Sequence, residues 1–325
     1  MDERGMSIAG IVSLSRELER EGADIIHLEQ GDPDFRTPAH IVAAASEALN
    51  AGYMHYVPAA GLPELREAVS AQLESDYGIL ADPSEITITN GGTLGLYLAL
   101  HATVGRGEEV LMANPSFGQF RLIAELLGGQ PIYVDVDDKE GRFPIDPKRL
   151  ERAITPQTKA VIINSPDNPT GTVYRDNELR AVAEVALKHN LHVISDEIYH
   201  KLTFDDLPHR SIVSACPDVK ERTIIVNSFS KTYSMTGWRL GYNVATRNLT
   251  SKMVKLYHSS ARCAAAFVQR AGLAALEGSE EWVAETRRTY ARRREVMAEE
   301  LEGVPHVEFG KPEGAFYFFV DISDT

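Results

Sequence analysis

Hydrophobic positions along the chain recur with two different periods. Stretches in which apolar residues return every three or four positions predict helices over Ile8–Arg20, Pro38–Asn50, Leu62–Tyr77, Thr93–Thr103, Phe117–Leu127 and Asn177–His189. The same period predicts helices over Arg247–Tyr257, Phe267–Leu276 and Glu280–Glu302. Between them lie short apolar runs, Glu109–Met112, Ile132–Val134, Ala160–Ile163, His192–Ile194 and Thr223–Val226. Their brevity and β-branched content predict buried strands. Strands alternating with helices predict an α/β fold with a mainly parallel central sheet flanked by helices.

The two ends depart from that alternation. Ile8–Leu28 reads as a helix followed by a short strand, and Gly31-Asp32-Pro33-Asp34 punctuates it as a linker would. After Gly278 a long helix leads to two strand candidates, His306–Glu308 and Phe316–Val320. We expect the ends, residues 1–31 and 277–325, to form a smaller α+β domain beside a large domain over 32–276. Arg292-Arg293-Arg294 among glutamates predicts a solvated helix face.

Composition narrows the class. At 325 residues the chain can bury a large core, and 43% hydrophobic with 25% charged residues is ordinary for a globular protein. A net charge of -14 repels phosphate backbones and anionic lipids, so nucleic acid and membranes are poor partners. Cys216 and Cys263 have no metal-ligand spacing and form no disulfide framework, which predicts a reducing interior and no metal. The charged N-terminus leads to no apolar signal core, and no apolar run is long enough to span a bilayer; a cytoplasmic location is expected.

The chemistry is concentrated where strands end, the edge at which α/β sheets bind ligands. Val226–Tyr242 runs from a buried strand into Ser228-Phe229-Ser230-Lys231, and Arg239 follows eight residues after the lysine. Such a set suits a phosphorylated aldehyde: the Lys231 amine forms the imine, while Ser228, Ser230 and Arg239 hold phosphate oxygens. Alone, Lys231 would read as a surface lysine in a polar turn. The strand Leu191–Ser195 ends in Asp196, suited to keep a pyridine nitrogen protonated so that the ring accepts electrons, with Tyr199 as donor to the ring phenolate oxygen. Helix capping is the other reading of Asp196. Asn168, between the prolines of Ser165–Gly171, is a second donor to that oxygen, or a plain turn asparagine. Gly91-Gly92-Thr93 opens a helix whose N–H groups can bind phosphate, with Gly92 and Thr93 at the contact. Phe117 can stack on the ring, or belong to the core. Each motif is weak singly. Together they supply imine, electron sink, phenolate donors, phosphate cup and stacking face, which pyridoxal 5'-phosphate (PLP) requires.

These motifs resemble fold-type I PLP enzymes of the class I/II aminotransferase family, of the aspartate/aromatic aminotransferase kind. Ser228–Gly241, with its Ser-x-Ser-Lys and Gly-Trp-Arg-x-Gly-Tyr, carries most of the resemblance; Asn168-Pro169-Thr170-Gly171 and Asp196-Glu197-Ile198-Tyr199 add to it. The resemblance runs from about Ile8 to the end of the chain. It implies a large PLP-binding domain, a smaller one from both ends, and a homodimer with active sites at the subunit interface. It implies that Gly31, in Gln30-Gly31-Asp32-Pro33, approaches the substrate carboxylate beside Asn168. It implies that Tyr56 reaches the partner subunit's cofactor phosphate, packing of the interface being the other reading. Arg262, in a stretch that nears the partner's site, either reads a distal carboxylate or belongs to the interface. Family members continue past Phe316–Asp321 with an arginine that clamps the substrate carboxylate, so we expect this sequence to stop short of the family's C-terminal end.

The activity expected is ping-pong transfer of an amino group from an α-amino acid to a 2-oxo acid through a Lys231 Schiff base. Two alternatives use the same motifs: a β-lyase or decarboxylase, and a non-catalytic PLP-fold sensor module, which the acidic charge disfavours.

Overall fold

One seven-stranded sheet organises the chain: β1 (Ile86–Thr89), β2 (Glu109–Asn114), β3 (Gln130–Asp135), β4 (Thr158–Asn164), β5 (His192–Asp196), β6 (Thr223–Ser228) and β7 (Gly241–Val244), in the spatial order β1-β7-β6-β5-β4-β2-β3. The computed structural model describes residues 8–324, with side chains from residue 10. Strands β6, β5, β4, β2 and β3 are parallel neighbours, and β7 is antiparallel to both β6 and β1. The alternation of side chains along the strands sorts the core into two layers. Leu111, Val161, Ile163, Val193 and Ile225 pack on one face with Leu179, Val182 and Ala186 of helix Asp176–Lys188. Met112, Ile162, Ile194, Ile224 and Val226 pack on the other with Leu96, Ala99 and Leu100 of helix Gly92–Thr103 and Tyr257 of helix Arg247–Ser260. Each such buried Val, Leu, Ile or Met side chain stabilises the fold by about 1.5–3 kcal/mol.

Contacts divide the chain into two units, Met1–Asp34 and Phe35–Thr325. In the first, helix Ile8–Arg20 ends with Ala23 N–H on the Leu18 carbonyl at 3.0 Å, and His27 lies 2.8 Å from both Glu19 and Glu29. The strand expected before Leu28 does not form, since residues 23–28 have no partner strand.

In the second unit the expected strand Phe316–Val320 is also corrected. Only Val320–Asp321 is strand, paired with Glu308–Phe309 in a small ribbon, which starts two residues later than the expected His306–Glu308. The chain before it is committed to loops instead: Glu313 and Gly314 N–H both donate to the Gly171 carbonyl at 3.0 Å, and Ala315 N–H donates to Leu202 at 2.8 Å. The Glu313 carboxylate receives Arg142, Arg175 and the Val173 N–H. Arg294 departs from its expected solvated face. It is 4% exposed, pairs with Asp205 through both terminal nitrogens at 2.7 and 2.8 Å, and donates to the Pro312 carbonyl at 3.0 Å.

Candidate active site

The parallel register brings three separate sequence motifs to one edge. Asn164 at the end of β4 lies opposite Asp196 at the end of β5, and Asp196 lies opposite Val226 of β6, two residues before that strand ends. Asn164 makes the junction rigid: its Nδ2 donates to the Asp196 carbonyl at 3.0 Å and its Oδ1 accepts the Asn168 N–H at 2.8 Å. The turn carrying Asn168 is closed by buried Asp167, which accepts Thr170 Oγ at 2.6 Å and Thr170 N–H at 3.1 Å. Gly171 ends it at φ 71°, where a Cβ would come 2.4 Å from Pro312. Only glycine lets the segment after Pro312 cross this turn.

Asp196 is 1% exposed, and among the described residues its Oδ1 accepts only a long bond, 3.3 Å, from Ile198 N–H. Burial pushes its carboxyl up to about 7, aided by Glu197 and Asp167 and opposed by the positive charge of Lys231. Tyr199 is also 1% exposed; its hydroxyl lies 2.5 Å from that of Tyr317, with the Asn168 side chain nearby. Burial raises its phenol well above the usual value. Lys231 sits on the short helix Phe229–Thr232, its Nζ 5.6 Å from the centre of the Phe316 ring. Lysine, carboxylate, phenol and amide thus share one neighbourhood although they are spread over residues 168–231.

A second group lies beside it. Helix Gly92–Thr103 begins without a side-chain cap, so its first N–H groups are open to a ligand, and Thr93 is exposed in its first turn. Gly91 precedes it at φ 81°, and a Cβ there would fall 2.6 Å from Nη2 of Arg239. Arg239, itself at φ 51°, is exposed and donates to the Thr236 carbonyl at 2.9 Å. A Cβ on Gly92 would lie 3.5 Å from Ser228 Cβ. Ser228 Oγ is 2.8 Å from Ser230 Oγ and accepts the Ser230 N–H at 3.1 Å. Strand β7 ties these pieces together, because Gly241 pairs with Thr89 on one side and Ser228 on the other. A guanidinium, two hydroxyls and a helix N-terminus around one space suit a dianionic phosphate.

Three further expected residues belong to other segments. Phe117, half buried after β2, meets Phe120 edge-on at 5.6 Å and packs on the core. Tyr56 is 77% exposed, with the Arg262 guanidinium 4.5 Å from its ring centre. Gly31 belongs to the first unit.

Comparison with known proteins gives the family. Residues 23–325 match the family model of aminotransferase class I and II. The chain belongs to that family. As an aminotransferase it falls among enzymes that work with pyridoxal phosphate. It is 39% identical to an aspartate aminotransferase of Geobacillus stearothermophilus over 97% of this chain and 80% of that protein. It is 44% identical to one of Pyrococcus abyssi over 93% of this chain and 78% of that protein. Among solved structures, the aspartate aminotransferase of Thermus thermophilus with maleate superposes at a TM-score of 0.93 with 35% identity, covering 99% of this chain and 83% of that one.

For this aminotransferase, sequence reasoning missed two residues of the cluster, Phe316 and Tyr317. Both lay inside a run of aromatics, Phe316-Tyr317-Phe318-Phe319, that reads as a strand. The available signal was a tyrosine in an otherwise apolar run, since a buried phenol needs a partner. It also missed the polar group behind Asp196, where Glu197 accepts Ser195 Oγ and Ser211 Oγ at 2.7 Å and lies 3.2 Å from His209 Nε2.

Proposed function

We propose that this aminotransferase moves an amino group from an α-amino acid to a 2-oxo acid in two half-reactions at the Lys231–Asp196–Tyr199 cluster. The observation that carries the reading is the juxtaposition of a buried, poorly hydrogen-bonded Asp196 with Lys231 and with the Gly91–Arg239 cradle.

These residues fit pyridoxal 5'-phosphate. The cradle closes on glycine where any side chain would displace the arginine, and the carboxyl held near neutrality suits a cationic ring nitrogen. When bound, the cofactor supplies an aldehyde for the lysine amine and a protonated ring that takes up the electron pair of a broken bond at the substrate Cα. Asp196 holds the proton at the ring nitrogen. Tyr199 and Asn168 bind the ring oxygen. Gly92, Thr93, Ser228, Ser230 and Arg239 hold the phosphate, and Phe117 covers a ring face. The Lys231 amine, freed by the incoming amino acid, moves the proton away from Cα. Lysine suits that task because desolvation and nearby cations bring its pKa down readily. Asn168 also receives the substrate carboxylate.

The same reading places Tyr56 and Arg262 at the interface of a homodimer, where the exposed Tyr56 ring would reach the phosphate of a second copy. The relatives named as aspartate aminotransferases, and a neighbour crystallised with the dicarboxylate maleate, support aspartate as the donor. Two free thiols, Cys216 and Cys263, suit the reducing cytoplasm, and no helix among the described residues is long and apolar enough to cross a membrane.

The test is product analysis of the PLP-loaded enzyme with aspartate and 2-oxoglutarate, followed by a screen of other amino donors. Oxaloacetate and glutamate in equal amounts, with parallel double-reciprocal plots, are expected. Ammonia with pyruvate, or no glutamate from any donor, would overturn the reading in favour of a lyase or a non-catalytic module.

A further inference from the structure

Tyr199 has a hydrogen-bonding problem that Tyr317 can solve. A phenol carries one proton and can accept in two directions. In this structure the Tyr199 oxygen lies 2.5 Å from the Tyr317 hydroxyl, and the Asn168 side chain is nearby. Asn168 can donate its amide N–H, leaving the Tyr199–Tyr317 bond to run either way. If Tyr199 donates to Tyr317, its only proton is spent, and it has nothing to offer an anionic ligand oxygen. If Tyr317 donates, the Tyr199 proton is left for the ligand. Tyr199 then accepts twice and becomes a stronger donor, as members of a hydrogen-bond chain polarise one another.

Tyr317 is held in place by more than this bond. Its backbone follows Gly314 and Ala315, whose N–H groups are fixed to Gly171 and Leu202 at 3.0 and 2.8 Å. Its ring meets Tyr199 edge-on at 5.7 Å and lies 5.0 Å from the Phe316 ring, which in turn sits beside Lys231. Burial pushes its phenol up to about 12, so it remains a protonated donor throughout the working range.

We propose that Tyr317 is a positioning residue of the reaction: its hydroxyl donates to Tyr199 and thereby directs the Tyr199 proton to the ring oxygen of the bound cofactor. This rests on the reading of Tyr199 given above. The segment after Gly314 therefore contributes to the electronics of the site.

Tyr317→Phe removes the hydroxyl and keeps the ring, so packing should survive. The readout is the pH midpoint of the visible absorbance of bound pyridoxal phosphate, compared among wild type, Tyr317→Phe and Tyr199→Phe, with cofactor dissociation constants measured alongside. A ring oxygen that loses a donor holds its negative charge less well, so the proton it shares with the imine nitrogen leaves at higher pH. Tyr317→Phe should raise the midpoint by about half a unit to one unit, the size of one net hydrogen bond, and Tyr199→Phe should raise it further. Cofactor affinity should change less than about threefold in Tyr317→Phe, a loss smaller than that of one hydrogen bond. A midpoint in Tyr317→Phe equal to that of wild type, with Tyr199→Phe shifted, would overturn the role of Tyr317. No shift in either variant would instead refute the placing of Tyr199 at the ring oxygen. Should Tyr317→Phe fold poorly, Tyr317→His restores a donor on a smaller ring. A midpoint within about 0.3 units of wild type in that variant supports the proposal, and a shift as large as that of Tyr199→Phe contradicts it.

Discussion

Asp196 and Glu197 are neighbours at the end of β5, equally buried at 1% exposure, yet their surroundings are opposite. Successive side chains leave a strand on opposite faces. Glu197 meets Ser195, Ser211 and His209, so its oxygens are met by two hydroxyl donors and an imidazole. Asp196 accepts one long bond from Ile198 N–H and shares its surroundings with a lysine. On the function proposed above, the difference separates a carboxylate that holds the fold together from one that awaits a ligand. A buried charge without matching donors destabilises the protein that carries it, so its presence marks work done on something else.

The comparison can be broken most sharply by Asp196→Asn. The cofactor should still bind, and turnover at equal cofactor load should fall by about 10²–10³-fold, as when one preorganised electrostatic partner is removed. Near-normal kcat would leave Asp196 with no role beyond its bond to Ile198. Glu197→Gln should do the reverse. Unfolding free energy should drop by about 2–4 kcal/mol, because His209 and the two serines lose their anion. Turnover per folded, loaded molecule should stay within a fewfold of wild type. Denaturant titration and kcat on the same preparation decide it, and lost turnover at unchanged stability would erase the distinction.

Gly91→Ala probes the cradle rather than the carboxylates. The added methyl group meets Arg239 and holds a non-glycine residue at φ 81°. We expect about tenfold weaker binding of pyridoxal phosphate, the equivalent of one weakened phosphate contact of about 1.4 kcal/mol, read by fluorescence titration of the apoprotein. Unchanged affinity would place the phosphate elsewhere.

The smallest effect is on the pH dependence of the apoprotein. Burial raises the carboxyl of Asp196 to about 7 and that of Asp167 to about 6. Below the ordinary carboxyl range both are protonated, folded or unfolded, and the folded state loses nothing. As pH rises from there through the raised values, the unfolded chain ionises first and stability falls. Asp196→Asn removes the larger contribution. Its Tm should therefore exceed that of wild-type apoprotein by about 2–5 °C at pH 8, with the gap closing towards pH 4. A gap that is constant with pH would mean that Asp196 is not held near neutrality.

Much of this was legible in the sequence because the site is built where buried strands stop. An apolar run followed by Asp196, or by Ser228-Phe229-Ser230-Lys231, marks such an end in one dimension, and parallel pairing aligns the ends in three. The long helices were equally plain, since Ile8–Arg20 and Arg247–Ser260 each carry at least three turns of a consistent period. Four-residue strands were not. Ile86–Thr89 and Gly241–Val244 are too short to establish a period, although β7 joins both halves of the proposed phosphate cradle. Tyr317 and Glu313 were hidden for another reason. Their partners, Tyr199 and Arg142, lie more than a hundred residues away on loops whose course no local pattern sets. Arg294 misled because a run of three arginines gives no sign that Asp205 waits on one side of it.

The central claim is that Lys231 moves the proton at the substrate Cα. A single half-reaction tests it most directly: aspartate is mixed with pyridoxal-phosphate-loaded enzyme in the absence of any oxo acid acceptor, and oxo acid release is timed for wild type and Lys231→Ala at equal cofactor content. Wild type should release one equivalent of oxo acid per site and leave the cofactor as its amine. Lys231→Ala should do so more slowly by at least about 10²–10⁴-fold, the usual worth of a positioned acid–base group. Release from Lys231→Ala at the wild-type rate would contradict the account.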